Sequence, residues 1–498
     1  MNVNPITRLD YPDPDVIRVE DTYYMVSTTM HFMPGCEILQ SFDLVHWEHA
    51  TYVYETLDHT DAQQLKSGQN IYGQGMWAAS LRYHEGRFYI CFVANDTRKT
   101  YLYTSEKIDG PWKKQLIEGF YHDGSLLFDE DGRNYIVYGN DEIWITELNE
   151  DLTAPKKDGL HRLLVSDHKN PELGYEGSHI QKINGYYYIF LIHSQRDRWM
   201  RTEACFYSDS LEGEFTGGDV LCDDRGYCGQ GVAQGGIVDT PDGKWYAMLF
   251  QDSGAVGRIP ILVPVTWKDH FPFFGQNGHV PEEIEVHSTR PGYIYQPLVG
   301  SDDFCNGLLP RWQFNHDPDP RYYHLDALQG TYTITTREVC TELTQAVNTL
   351  TQRMSYPSCA AEVTVDASAL KEGDVAGLCA LQSCYAAVGI TKHHGKYEVL
   401  MLDKKEDGIL DMTEGTVVES HQMDFRLEAD FCNMKDEARC YYRVNKGDWL
   451  PIGTVHKLYF KLDHFTGCRF GLFCYAAEET GGSACFRDFK YYDVDEIS

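Results

Sequence analysis

At 498 residues the chain is too long for one ordinary hydrophobic core, so two domains of a few hundred residues each are expected. It contains 34 tyrosines and 9 tryptophans and no Ala/Leu/Glu/Lys heptads, which favours an all-β fold over helical bundles. A net charge of -32 repels phosphate backbones and anionic lipid, arguing against nucleic acid and membrane surfaces as partners and for a neutral ligand.

The first residues, MNVNPITRLDYPDP, carry neither a basic leader nor an apolar stretch, and no later run is long enough to cross a bilayer. A cytoplasmic location is therefore expected. The 15 cysteines are scattered without the spacing of a disulfide framework or a zinc site, and free, mostly buried thiols are the preferred reading.

The first predicted strand begins unusually, with two aspartates between prolines in YPDPDVIRVEDTYYM (11–25). The pattern of short apolar strand, tight turn and Tyr-bearing strand then recurs in WAASLRYHEGRFYI, DGSLLFDEDGRNYI, EGSHIQKINGYYYI and QGGIVDTPDGKWYA. Glu85-Gly86, Asp131-Gly132, Asn184-Gly185 and Asp242-Gly243 supply hairpin glycines, and Glu20-Asp21 is the exception. Aligned on Tyr24, Tyr89, Tyr135, Tyr188 and Tyr246, the positions 12 residues earlier (11 in the first segment) are Asp13, Trp77, Asp123, Glu176 and Gln234. Further strands follow each hairpin, so the segments read as a five-bladed β-propeller over 1–295. In that fold equivalent ends of the innermost strands meet at one mouth of the central axis. Asp13 then faces a funnel shared with Asp123 and Glu176 instead of entering a core.

After STRPGYIYQPLVGSDDF, whose prolines and glycines read as a linker, the five-fold pattern stops. Segments such as CAAEVTVDAS, VAGLCALQS, YEVLMLD and CRFGLFCY alternate apolar and polar residues, the signature of a β-sandwich over 296–498. Other patterns carry little. Glu176 and His179 point to opposite faces of a strand and share no metal, and DEDG (129–132) is a hairpin turn without the glutamate that closes a calcium loop.

Carboxylates around an aromatic pocket suit hydrolysis of a glycosidic bond, in which one acid donates a proton and another activates water. A third carboxylate beside the acid raises its pKa by like-charge repulsion. Periodicity alone does not assign these roles.

The motifs PDPD (12–15), MWAASLRYHEGRFY (76–89), HDGSLLFDEDGRNY (122–135) and YEGSHIQKINGYYY (175–188) resemble the blades of glycoside hydrolase family 43. Its members are inverting β-xylosidases and α-L-arabinofuranosidases, many with an appended concanavalin-like sandwich, which SDDFCNGLLPRWQFNHDP and LTQAVNTLTQR resemble. The resemblance implies that Asp13 is the general base, Asp123 the residue that tunes and orients the acid, and Glu176 the general acid. It implies that Arg258 of Gly257-Arg258 contacts sugar hydroxyls, that Trp77 and Phe32 line the pocket, and that Gln234 belongs to the substrate-binding set. Met30 departs from the aromatics that relatives carry near Phe32. Gln234 stands where many relatives hold a channel calcium or water cluster with a histidine, and Val347 replaces a common arginine without an assignable consequence. Asp302 and Asp488 resemble a structural calcium site, although a surface aspartate before a strand is an equally ordinary reading. No cofactor is required for the chemistry.

The expected activity is removal of terminal β-1,4-xylose from short xylo-oligosaccharides, with α-L-arabinofuranosidase action as the alternative. A binding-only propeller and a retaining hydrolase are the remaining rivals. The oligomeric state, a homo-oligomer included, is left open.

Overall fold

The computed structural model describes residues 2–493. The N-terminal part holds five antiparallel four-stranded sheets, each with its strands in chain order running outward from the axis. Their innermost strands are Asp15–Val19, Met76–His84, Ser125–Phe128, Glu176–Ile183 and Ile237–Asp239, in blades I to V. This part is thus a five-bladed propeller.

The constant spacing to the shared tyrosines conceals two different local structures. In blades I, II and IV only Glu20-Asp21, Glu85-Gly86 and Asn184-Gly185 separate the paired strand ends, whereas blades III and V use longer loops, 129–133 and 240–244. Blades II and IV compensate with a β-bulge, between Trp77 and Ser80 and between Glu176 and His179. Counted from the residue paired with each tyrosine, the equivalent positions are Asp13, Ala78, Asp123, Gly177 and Gln234. All five have left-handed backbone, with φ of 51, 33, 48, 63 and 63°. Trp77 and Glu176 therefore sit one residue upstream of the equivalence that the constant spacing suggests. For the four that are not glycine this conformation costs about 1 kcal/mol each, strain of the kind stored at functional sites.

The axis is filled by Arg82. Its Nε donates to Leu126 O (2.9 Å), Nη1 to Asp15 Oδ2 (2.8 Å) and Leu81 O (2.6 Å), and Nη2 to Ser125 Oγ (2.7 Å) and Ile180 O (3.2 Å). All five guanidinium N–H groups are thereby used, on partners from blades I to IV. Asp15 also meets His179 Nδ1 at 3.1 Å and accepts from Leu81 N at 2.7 Å. Burial pushes the Asp15 carboxyl up, but Arg82 and His179 prevail and hold it below its ordinary value. Blade V joins through Gln181 Nε2, which donates to Ile237 O at 2.8 Å, and through the ion pair of Arg18 with Asp239. Arg82 also lines a cavity of about 300 Å³, shared with His84, Phe128 and Trp245, at the strand ends away from Asp13.

The C-terminal part is a sandwich of two antiparallel sheets around Phe304, Trp312, Tyr332, Leu378, Phe425 and Phe470. One sheet is extended by a propeller segment, since Phe32–Met33 pairs with Gln313–Asn315. Around this junction Arg353 Nη1 meets Glu37 Oε2 at 2.8 Å, and the Arg469 guanidinium lies 3.4 Å from the Phe32 ring centroid. His31, His316 and His464 are buried beside them, with ring centroids 4.8 Å (His31–His316) and 5.3 Å (His31–His464) apart.

Two predictions follow from these contacts. Replacing Arg82 by Met leaves Asp15 buried with half its charge partners gone and should cost about 3–5 kcal/mol in denaturant unfolding. Burial lowers His316 to about 3 and His464 to about 4, so both are neutral in the fold and bind protons once unfolded. Their contribution to stability is complete above the ordinary histidine pKa and is lost as pH falls toward 4 and 3. The Tm should accordingly fall below pH ~6.5, and His464→Leu should flatten that slope.

Candidate active site

The left-handed turns before the inner strands bring Asp13, Asp123 and Glu176 to one mouth. Asp13 is 3% exposed; its Oδ1 accepts from Arg258 Nη1 and its Oδ2 from Thr28 Oγ1, both at 2.6 Å. One charged and one hydroxyl donor fix the orientation of both oxygens of this carboxyl group. Thr28 Oγ1 also accepts from Ala78 N at 2.8 Å, so the left-handed turn of blade II positions the partner of the blade I acid.

Arg258 is buried and doubly anchored. Its Nε donates to Asp252 Oδ1 (3.2 Å), and Asp252 Oδ2 meets Arg201 Nη1 at 2.5 Å, so one carboxylate serves two guanidiniums. The guanidinium lies against the rings of Phe465 (3.7 Å) and Phe250 (4.5 Å). Its backbone N donates to Asp10 Oδ1 at 2.7 Å, and Gly467 N of the sandwich donates to Asp10 Oδ2 at 2.8 Å. The preceding residue must be glycine, since at its φ of 103° a Cβ would lie 2.1 Å from Asp10 Oδ1.

Asp123 Oδ2 accepts from Gly177 N at 2.9 Å, tying the modulating acid to the bulge that carries Glu176. Glu176 Oε2 accepts from Asn140 Nδ2 at 2.7 Å. His122 Nε2 lies 3.5 Å from Asp123 Oδ2 and 3.6 Å from Glu176 Oε2. Burial raises Asp123 to about 6 against the opposing charge of His122, with like charges on Glu176 and Asp13 adding to the rise. The charge of Asp123 in turn lifts His122 to about 9, with burial opposing. On Glu176 burial acts upward, yet His122, Arg201 and Arg258 together hold it below its ordinary value. In the free site the raised carboxyl is thus Asp123, because a histidine between the two acids favours the ionised form of Glu176.

The other expected site residues fare differently. Trp77 stands at the mouth, edge-on to Phe465 at 5.0 Å, with its Nε1 donating to Gly73 O. Phe32, by contrast, is 2% exposed and given over to the seam between the domains, because its strand extends the sandwich sheet under Arg469. Phe465, from the sandwich, is the aromatic that meets both Trp77 and Arg258. Gln234 is 4% exposed and packs on Gly177, where an added Cβ would lie 2.6 Å from its Cγ; it supports the Glu176 bulge from behind. Met30 Sδ accepts from Thr466 Oγ1 at 3.3 Å in the same seam.

The expected calcium pair lies on adjacent segments, since Asp302 forms a bridge with Phe489, the neighbour of Asp488. Asp302 Oδ1 accepts from Phe304 N (2.7 Å) and Oδ2 from Trp312 Nε1 (2.8 Å), while Asp488 is exposed. The pair gathers no third carboxylate, histidine or thiolate within coordination reach among the described residues. Asp302 fixes the turn that seats Trp312 in the core.

His122, Asn140, Thr28, Arg201, Asp252 and Phe465 were not singled out in the sequence. His122 was adjacent to an expected acid, within HDGSLLF. Arg201, Asp252 and Phe465 reach the site from outer strands or the second domain, and no local pattern marks them.

A propeller mouth holding three acids, a clamped guanidinium and aromatic walls defines a glycoside hydrolase site. Comparison with known families agrees: the profile of glycosyl hydrolases family 43 matches residues 3–272, and that of the β-xylosidase C-terminal concanavalin A-like domain matches 301–492. The chain belongs to glycosyl hydrolases family 43. It is similar to a β-xylosidase of Formosa agariphila, 26% identical over 99% of this chain and 89% of that one. Among solved structures it resembles a bifunctional GH43-CE protein of Bacteroides eggerthii (42% identity, TM-score 0.91), covering 99% of this chain and 64% of the other. A second resemblance, at 27% identity and TM-score 0.88 over 99% of both chains, is to a GH43 enzyme engineered to display endo-xylanase and exo-arabinofuranosidase activity.

Asp252→Asn removes the charge shared by two buried guanidiniums. We expect kcat/KM on an aryl glycoside to fall about 10²-fold, the scale of breaking a buried ion pair. A change below about threefold would mean that Asp252 does not set the position of Arg258.

Proposed function

We propose that the protein removes terminal non-reducing β-1,4-linked xylose from short xylo-oligosaccharides with inversion of configuration. The carrying observation is the unlike treatment of its acids. Both oxygens of Asp13 accept hydrogen bonds, from Arg258 and Thr28, whereas Glu176 shares a cluster with Asp123 and His122 in which protons can reside. Asp13 then takes a proton from water as it attacks the anomeric carbon, and Glu176 gives one to the departing glycosidic oxygen. Arg258 orients ring hydroxyls, and Trp77 with Phe465 supplies an apolar wall that favours a single terminal sugar. The similarity to a named β-xylosidase supports the sugar assigned.

Action on terminal α-L-arabinofuranose is the second reading, supported by the likeness to the engineered enzyme with exo-arabinofuranosidase activity. Aryl β-xyloside and aryl α-L-arabinofuranoside assayed side by side separate the two. We expect faster cleavage of the xyloside, with α-xylose as the first product seen by NMR. Glu176→Ala should abolish turnover of xylobiose while retaining its binding. Cleavage of neither glycoside would overturn the reading, and β-xylose as the first product would overturn inversion.

A further inference from the structure

His122 is a polar side chain without a structural duty. Its ring lies at the mouth with 23% of the side chain exposed, yet Nε2 is buried and has no partner nearer than Asp123 Oδ2 and Glu176 Oε2. That nitrogen stands almost equidistant from Asp123 Oδ2 and Glu176 Oε2, at 3.5 and 3.6 Å, so a movement of under about 1 Å makes either contact a hydrogen bond. The backbone of His122 is held separately, its O accepting from Gly139 N at 3.0 Å, so the side chain is not needed to hold the loop.

The charges facing this ring are Asp13, Asp123 and Glu176, with Arg201, Arg258 and Asp252 behind them. Four carboxylates thus surround two guanidiniums and one imidazolium. An acid that protonates a sugar oxygen must carry a proton at the moment of bond cleavage, and Glu176 in the free site is held ionised. An inverting acid must also be recharged after every turnover.

We propose that His122 is the proton relay that charges Glu176, acting through that acid as a positioning residue without touching the sugar. The inference rests on the glycosidase reading above. In the relay the Nε2–H bond of the imidazolium breaks and an Oε2–H bond of Glu176 forms, with no change in the charge of the cluster. Glu176 passes that proton to the leaving oxygen, and Nε2, the vacant nitrogen of the remaining Nδ1–H tautomer, regains one from water that enters the mouth as the product departs. Asn140 holds Oε2 toward the ring throughout. Because His122 is raised to about 9, the cluster keeps its mobile proton far above the carboxyl range.

The test is His122→Gln, which keeps a hydrogen-bonding side chain that cannot titrate. It is assayed on the disaccharide and on the dinitrophenyl glycoside of the pentose that the wild-type enzyme cleaves. Dinitrophenolate leaves without a proton, whereas the sugar oxygen needs one. The expected loss in kcat/KM is about 10²-fold on the disaccharide and about tenfold smaller on the dinitrophenyl glycoside. The basic limb of the disaccharide pH profile should move from about 9 down toward the range of the carboxyl groups. Equal losses on both substrates, or an unmoved basic limb, would overturn the relay and leave His122 a packing residue. Wild-type enzyme inactive on every glycoside would overturn instead the hydrolase reading beneath it.

Discussion

The guanidinium of Arg82 is the interaction on which the rest of the propeller depends. A five-bladed ring leaves a channel along its axis, into which carbonyls and carboxylates of the inner strands project. Arg82 answers them from within, spending all five donors on Asp15, Ser125 and three backbone oxygens. A permanent planar cation suits this post, because it stays charged and its fork reaches several blades at once. The inner strands thereby gain a common origin, and the acids at their upstream ends inherit fixed relative positions.

Above that axle the backbone aims the chemistry. A left-handed residue at the same level of each blade turns the chain toward the mouth, and the bulges of blades II and IV advance Trp77 and Glu176 by one residue beyond it. The bulge makes Glu176 differ from Asp13 and Asp123. It emerges from a strand and not a turn, its neighbour Gly177 grips Asp123, and its oxygen is left facing Asn140 and His122. Three acids at similar sequence positions therefore acquire three environments: one clamped by arginine and threonine, one between a backbone amide and a histidine, and one between that histidine and an asparagine. Division of labour among chemically similar groups requires that inequality.

The sandwich completes the site. Asp10, just upstream of the first acid, accepts one hydrogen bond from Arg258 of the propeller and one from Gly467 of the sandwich, so one buried carboxylate aligns both. Phe465 lies two residues before Gly467 and covers the face of Arg258. The histidine cluster and the Phe32–Met33 strand continue this seam outward. The pocket wall is thus a property of the docked pair of domains.

The blade repeat, the change of pattern after the fifth blade and the register of the three acids are legible along the chain, because they rest on local periodicity: turn glycines, alternating strands and tyrosines at a fixed spacing. That same spacing hid the bulges, since a shorter turn and an inserted residue cancel in a count along the chain. The fold in three dimensions shows that Arg82 is the axle, that Asp252 serves two arginines, that Phe465 and not Phe32 meets Trp77 and Arg258, and that His122 stands between two acids. Each of these depends on groups far apart in sequence or on the direction of a single side chain. Local pattern carries no record of which distant partner a buried charge finds.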